Sequence, residues 1–351
     1  MFATVGIIII VLLCVAHFYL KSSTIRSFAA VISALLAVIA ALNYYEVAAD
    51  ILISRGRWGQ WAQPGIFVFI FLATFALAKS LADFLLRPGI DFGAITTRLT
   101  VVISGTIVGL IISGILLIAV AMTPLGAKWP YARFEEGNIN VKNPNKALFN
   151  VDGFIAALFG WMSKGSLSSQ KSFSVYHADF INQLHLNRHK AKDEVCSIAA
   201  ADAIVVPARN GVRIQDIDDR SFTVVRMGVK AKEIANGGAM DTSGRLSFTL
   251  SQVRLICKEK TQAPATSGNA TVIYPAGQII EKQFEKINLD ETITFSRRDF
   301  QDSSRTAWMD LAFTVGPSMM PVFLEFKQNA ITNLPKPVLG NGPAEQLNPK
   351  E

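Results

Sequence analysis

Four long uncharged runs open the chain. Phe2 to Leu20, Ser27 to Tyr45, Trp58 to Ala78 and Leu99 to Ala127 contain no Lys, Arg, Asp or Glu. Each approaches or exceeds the roughly 18–20 residues that an α-helix needs to cross a hydrocarbon core. The pattern predicts four membrane helices over residues 1–124. The first run has no positively charged start and no small-x-small cleavage pattern near "CVAHFYL", so it is expected to stay as an anchor rather than be removed as a signal peptide. Gly and Pro in "WAQPGIF" and "RPGIDFG" mark turns at membrane ends. Phe18, Tyr19, Tyr44, Tyr45, Trp58, Trp61, Trp129 and Tyr131 gather near the borders, where an aromatic belt sits.

Beyond residue 125 the pattern changes twice. Residues 125–195 read as a helical connector beside the membrane. In "DGFIAALFGWM", Asp152 is a candidate N-cap, and Phe154, Ile155, Leu158, Phe159 and Met162 recur at steps of three and four. This uncharged run of about ten residues is too short to span, so it is expected on the membrane surface or against the bundle, with Trp161 and Lys164 at the interface. The stretch "YHADFINQLHLNRHK" then gives a helix whose apolar face is Phe180, Ile181 and Leu184. Its opposite side, with Asn182, His185 and His189, is expected to be wet and pH-sensitive.

From residue 196 to 327 the period is two. "RLSFTLS" and "WMDLAFTV" alternate large apolar with polar or small residues, and "DAIVV", "SFTVVRMGV", "VRLIC", "ATVIY", "TITFS" and "PVFLEF" add shorter runs between turn signals. Short strands without intervening long helices predict a mostly antiparallel, β-sandwich-like domain. Residues 328–351 hold four prolines and few large apolar groups, the composition of an extended tail.

Charge refines this picture without redirecting it. Half of the residues are hydrophobic and 17% are charged. The first 124 carry 7 Lys and Arg against 4 Asp and Glu, the remaining 227 carry 27 against 23, and the total is +7. So diffuse an excess gives no clustered basic face for nucleic acid. Lys21, Arg26, Lys79, Arg87 and Arg98 flank one side of the spans and only Arg55 and Arg57 the short loop opposite. The positive-inside rule then puts the first set in the cytoplasm and both termini outside. No charged side chain lies deep in an uncharged run, which argues against a pump or coupled transporter. His17, near the end of the first run, is expected to face headgroups.

Gly105, Gly109 and Ser113, at steps of four, make one small face of the fourth helix, for packing within the bundle or against a second copy. Common enzyme signatures are absent from the sequence, no catalytic or cofactor-binding residue stands out, and Ser168 with Lys171 fits S-x-x-K only as a Ser-rich turn does by chance. His177, His185 and His189 are the candidate metal ligands; two lie one turn apart, fewer than a site needs. Cys14 reads as a packing residue, and Cys196 and Cys257 either pair or stay as buried thiols.

The segments "FYLKSSTIRSFAAVISALLAVIAALNYY" and "RLTVVISGTIVGLIISGILL" resemble the colicin V production protein (CvpA) family of bacterial inner-membrane proteins. The resemblance covers roughly the first 125 residues. "DGFIAALFGWMSKGSLS" and "FSVYHADFINQL" are similar to the segment after the membrane part in larger members, which makes His177, Asp179 and Phe180 part of a structural element there. Lys21 and Arg26 are followed by serine, where the family often has glycine. The resemblance implies a multi-pass inner-membrane module for envelope maintenance or secretion, without catalytic residues. The resulting expectation is a non-catalytic scaffold holding a periplasmic β domain, with the lipid bilayer and other envelope proteins or a second copy as partners. The alternative is a transport accessory or conduit built on the bundle.

Overall fold

The computed structural model describes residues 2–55, 58–86, 93–137, 139–165, 168, 172–190, 195–217, 220–236, 239–261, 268–281, 283–301 and 304–339. Four long helices form the N-terminal part: α1 (Phe2–Lys21), α2 (Thr24–Ile53), α3 (Ala62–Leu85) and α4 (Ala94–Ala121). All four are long and apolar enough to cross a membrane. Close packing depends on small residues. A Cβ on Gly105 would stand 2.9 Å from the Val15 Cα, and one on Gly109 2.8 Å from the Val11 Cα, so these glycines seat α1 against α4. Ser113 turns its hydroxyl back to donate to the Gly109 carbonyl, 2.8 Å away. Cys14 lies beside Gly109 in the same contact. His17 is exposed one turn before the end of α1.

Helix α2 outruns its uncharged stretch. Its 30 residues span about 45 Å at 1.5 Å per residue, roughly 15 Å more than a hydrocarbon core. The surplus turns carry Glu46 and Asp50 toward the C-terminal half. Four consecutive passes return the chain to its starting side, so the start of α1, the end of α2 and the end of α4 lie at one end of the bundle, to which the rest of the chain is joined.

The connector comprises α5 (Val151–Lys164), α6 (Phe173–Tyr176) and α7 (Phe180–Asn187). Asn150, not Asp152, occupies the N-cap of α5. Asp152 is buried instead, accepting a hydrogen bond from the Tyr131 hydroxyl at 2.5 Å. Helix α5 lies on α4: a Cβ on Gly114 would meet the Val151 carbonyl oxygen at 2.7 Å.

Thirteen strands are described beyond the connector, with one helical turn, α8 (Ala231–Asn236). They are β1 (Ile204–Val205), β2 (Val212–Ile217), β3 (Arg220–Lys230), β4 (Leu246–Thr249), β5 (Val253–Glu259), β6 (Thr271–Ile273), β7 (Gly277–Ile280), β8 (Gln283–Lys286), β9 (Thr292–Phe295), β10 (Thr306–Phe313), β11 (Met319–Phe326), β12 (Ala330–Asn333) and β13 (Val338–Leu339). The largest sheet runs β13-β2-β3-β10-β7-β8, with β1 also on β3; a second runs β12-β11-β5-β6, and β4 pairs β9. Every pairing is antiparallel except β13 on β2. The alternation decides which side faces in: Val225, Met227 and Val229 of β3, Leu311 and Phe313 of β10, Leu255 and Cys257 of β5, and Leu324 and Phe326 of β11 share one core. The expected tail supplies β12 and β13, while residues 340–351, like Lys171, Arg57 and Arg87, lie outside the described residues.

Candidate functional site

The end of α2, the connector and the second sheet meet in a seam of buried polar side chains. Glu46, one turn beyond Leu42, accepts hydrogen bonds at Oε1 from the Tyr45 hydroxyl and from His177 Nε2, both at 2.9 Å. His177 Nδ1 stands 3.0 Å from Gln183 Oε1. The Gln183 amide is oriented by its other end, where Nε2 donates to Glu325 Oε1 at 2.6 Å and to the Gln328 carbonyl at 3.4 Å. Glu325 Oε2 accepts from Arg254 Nη2, which also donates to the Tyr176 carbonyl. These two residues are direct partners across β11 and β5. His177, Gln183, Arg254 and Glu325 are each at most 6% exposed.

This arrangement sets the charge on His177. Both ring nitrogens face acceptors, an arrangement that favours the doubly protonated ring. Burial pushes its pKa down, but the Glu46 carboxylate, its hydrogen bond, Glu325 and Gln183 together raise it above the ordinary value. His185, two residues before the end of α7, has the opposite fate. Burial and the neighbouring cations Arg188, Arg133 and His189 hold its pKa well below the ordinary value, and its Nε2 is buried without a partner among the described residues. Burial first, then Lys190, also lowers His189, against the pull of Asp290 and Glu136.

Further polar ties run alongside. The Tyr274 hydroxyl donates to Asp179 Oδ2 at 2.8 Å, and Arg133 Nε to Asn182 Oδ1 at 2.5 Å. Arg188, only 1% exposed, donates to the carbonyls of Val120, Gly126 and Trp129. A cation is thus placed at the negative, carbonyl end of α4, where Val120 also accepts from Thr123. Gln252 Nε2 reaches Asn187 and the Val195 carbonyl. Lys327 donates to the same carbonyl and to the Ser197 hydroxyl, and burial pushes its pKa down to about 7. Asn329 Nδ2 donates to Asp50 Oδ1 at 3.1 Å. A cavity of about 500 Å³ opens beside this last contact, lined by Asn43, Glu46, Asp50, His177, Phe323 and Asn333 among others.

The seam corrects the expectation of a wet histidine face. Every residue of α7, Phe180–Asn187, is buried, as are His177 and His189. Phe180, Ile181 and Leu184 join the bundle core as the apolar stripe predicts. The polar side is covered because the segment after α4 lies over it, where Arg133, Tyr131 and Phe134 meet Asn182, His185 and His189, while Gln252 and Glu325 from the β-rich part meet Asn187 and Gln183. The three histidines do not converge: among the described residues no group of three or more His, Cys, Asp or Glu could hold a metal ion. Cys196 and Cys257 are unpaired and buried. Burial pushes the Cys196 thiol up to about 11 and the Cys257 thiol up to about 12, so both stay protonated and unreactive at neutral pH.

Glu46, Gln183, Arg188, Arg254, Glu325 and Lys327 carry the seam, and none stands out in the sequence. Arg254 and Glu325 occupy positions that alternation assigns to solvent. Their one signal is that "VRLIC" and "PVFLEF" each set a single charge of opposite sign within a strand. No family model matches the chain, and no curated protein or solved structure matches it either.

Proposed function

We propose that the chain is a non-catalytic membrane anchor, of the colicin V production protein type, that holds its β-rich domain rigidly against one end of a four-helix bundle. The observation that carries this reading is the run Glu46, His177, Gln183, Glu325, Arg254, which joins α2 through the connector to the second sheet without reaching a reactive group. Charges in it are paired with one another, and His177, Arg254 and Glu325 are shielded from water, an arrangement suited to fixing geometry. In this reading the two larger sheets form a β-sandwich on the periplasmic side of a bacterial inner membrane, and the sandwich docks an envelope protein or a second copy. The distribution of Lys and Arg around the helices supports that orientation.

Native purification from the membrane tests the role: a stoichiometric protein partner, or a stable homo-oligomer, is expected. A bundle that instead passes a solute after reconstitution overturns it in favour of a transport accessory or conduit, a reading favoured by the cavity of about 500 Å³ at the end of α2. Orientation is tested at Arg209, exposed in the turn before β2. An Arg209→Cys variant should react with a membrane-impermeant maleimide in cells whose inner membrane is intact. Modification only after that membrane is opened reverses the orientation.

A further inference from the structure

Helix α5 turns an apolar face outward. Phe154, Ala157, Trp161 and Lys164 are exposed and recur at steps of three and four, so they form one stripe. Phe154 is 61% and Trp161 71% exposed, and Phe149, just before the helix, is 76% exposed. A helix meeting water presents charges outward. Here the acidic Asp152 and the hydroxyl of Ser163 point inward, and the outward face is aromatic until its last turn.

The path of α5 determines what meets that face. Val151 and Leu148 cluster with Ala3 and Ile7 of α1 and Leu117 of α4, and Phe159 packs edge-on against Phe173 of α6. Contact with α4 is made at Gly114, seven residues and about 10 Å before that helix ends. So α5 begins alongside the membrane span rather than beyond it. The neighbouring helices expose Phe2 and Val5 of α1 and Leu116 of α4, so the apolar outer surface of the bundle continues onto α5. A groove between α5 and Asn269 and Ala270 of the β-rich part runs along Gly153, Ala156 and Gly160; Ala157, Trp161 and Lys164 form its outer rim, and Phe154 lies outside it.

We propose that α5 is an interfacial membrane helix whose stripe of Phe149, Phe154, Ala157 and Trp161 is immersed where acyl chains meet headgroups, with Lys164 extending to the lipid phosphates. Aromatic residues suit that depth, and a lysine stem can lie along apolar surface while its ammonium stays among polar groups. This inference rests on the membrane reading above.

The test is collision accessibility of a nitroxide at Ala157→Cys in vesicles of phosphatidylethanolamine and phosphatidylglycerol. Oxygen concentrates in the bilayer and a nickel chelate stays in water. Leu12→Cys on α1, 62% exposed in the native residue, is the lipid reference, and Arg209→Cys is the water reference. Unsubstituted protein carried through labelling sets the background from native thiols. Oxygen is expected to dominate at Ala157 as at Leu12, with the nickel chelate dominating at Arg209. Nickel dominance at Ala157 with oxygen dominance at Leu12 overturns the proposal while the four-helix anchor stands. Shelter from both reagents at Ala157 also overturns it, because a protein surface or second copy then covers the stripe. A water-exposed Leu12 label brings down the membrane reading itself.

Discussion

His177 and His185 lie eight positions apart and are driven in opposite directions. The raised pKa of His177 contributes stability that is complete below the ordinary value of about 6.5 and is lost as pH rises through the raised folded value. For His185 the folded pKa is depressed, so its contribution is present above about 6.5 and declines as pH falls. The two histidines should therefore bend the pH profile of thermal unfolding in opposite senses, on top of the rise above about pH 7 that the depressed Lys327 ammonium gives. His177→Gln is expected to remove the contribution that falls with pH and His185→Gln the one that rises; a profile unaffected by either change refutes the assignment. Arg254 and Glu325 allow a second test. Both are 1% exposed, so Arg254→Met strands a buried carboxylate and should cost about 3–5 kcal/mol. Burial already pushes the Glu325 carboxyl up, with Arg254 opposing it, so the stranded group is expected to take up a proton. Arg254 Nε and Nη1 have no partner among the described residues, so the wild-type pair is itself costly to bury. The double change to methionine should then recover most of the loss, as chemical denaturation would reveal.

At the scale of elements, the glycine contacts divide the bundle. Gly109→Val would drive a side chain into the α1 backbone, where the nearest atom is the Val11 Cα, with an expected loss of about 1–3 kcal/mol. Unfolding in a denaturing detergent measures it, and a neutral result would mean that α1 and α4 are not in contact there. Helices and most strands were legible because their signals are local. Uncharged runs mark α1 to α4, and period-two alternation marks β3, β4, β10 and β11. Strands β2, β7, β8, β12 and β13 carried weaker signals: "VRIQDI" mixes charges into its pattern, and β13 has two residues. The seam was illegible for a different reason. A polar helix face looks solvated unless its cover is known, and the cover of α7 comes from Arg133, 49 residues from Asn182, and from Gln252 and Glu325, 65 and 142 residues from their partners.

The whole molecule is closed by a contact between its ends. Asp50 on α2 meets Asn329, 279 residues later. An Asp50→Cys and Asn329→Cys pair should form a disulfide under mild oxidation that links the bundle to the β-rich part, seen as two fragments held together on a non-reducing gel after cleavage between them. Free separation of the fragments would mean that the two parts are not docked as described. Contacts of such separation close late, after loop-closure entropy has been met.

Arg188 adds a temporal consequence. It ties Val120 at the end of α4 to the Gly126 and Trp129 carbonyls that follow, yet it leaves the ribosome 67 residues after Ala121 does. Until then the segment after the fourth helix lacks this tie back to Val120, and Glu46 waits longer still for His177. A nascent chain halted before Arg188 is therefore an inserted but unlatched bundle, exposed to membrane proteases in a way that the finished chain is not.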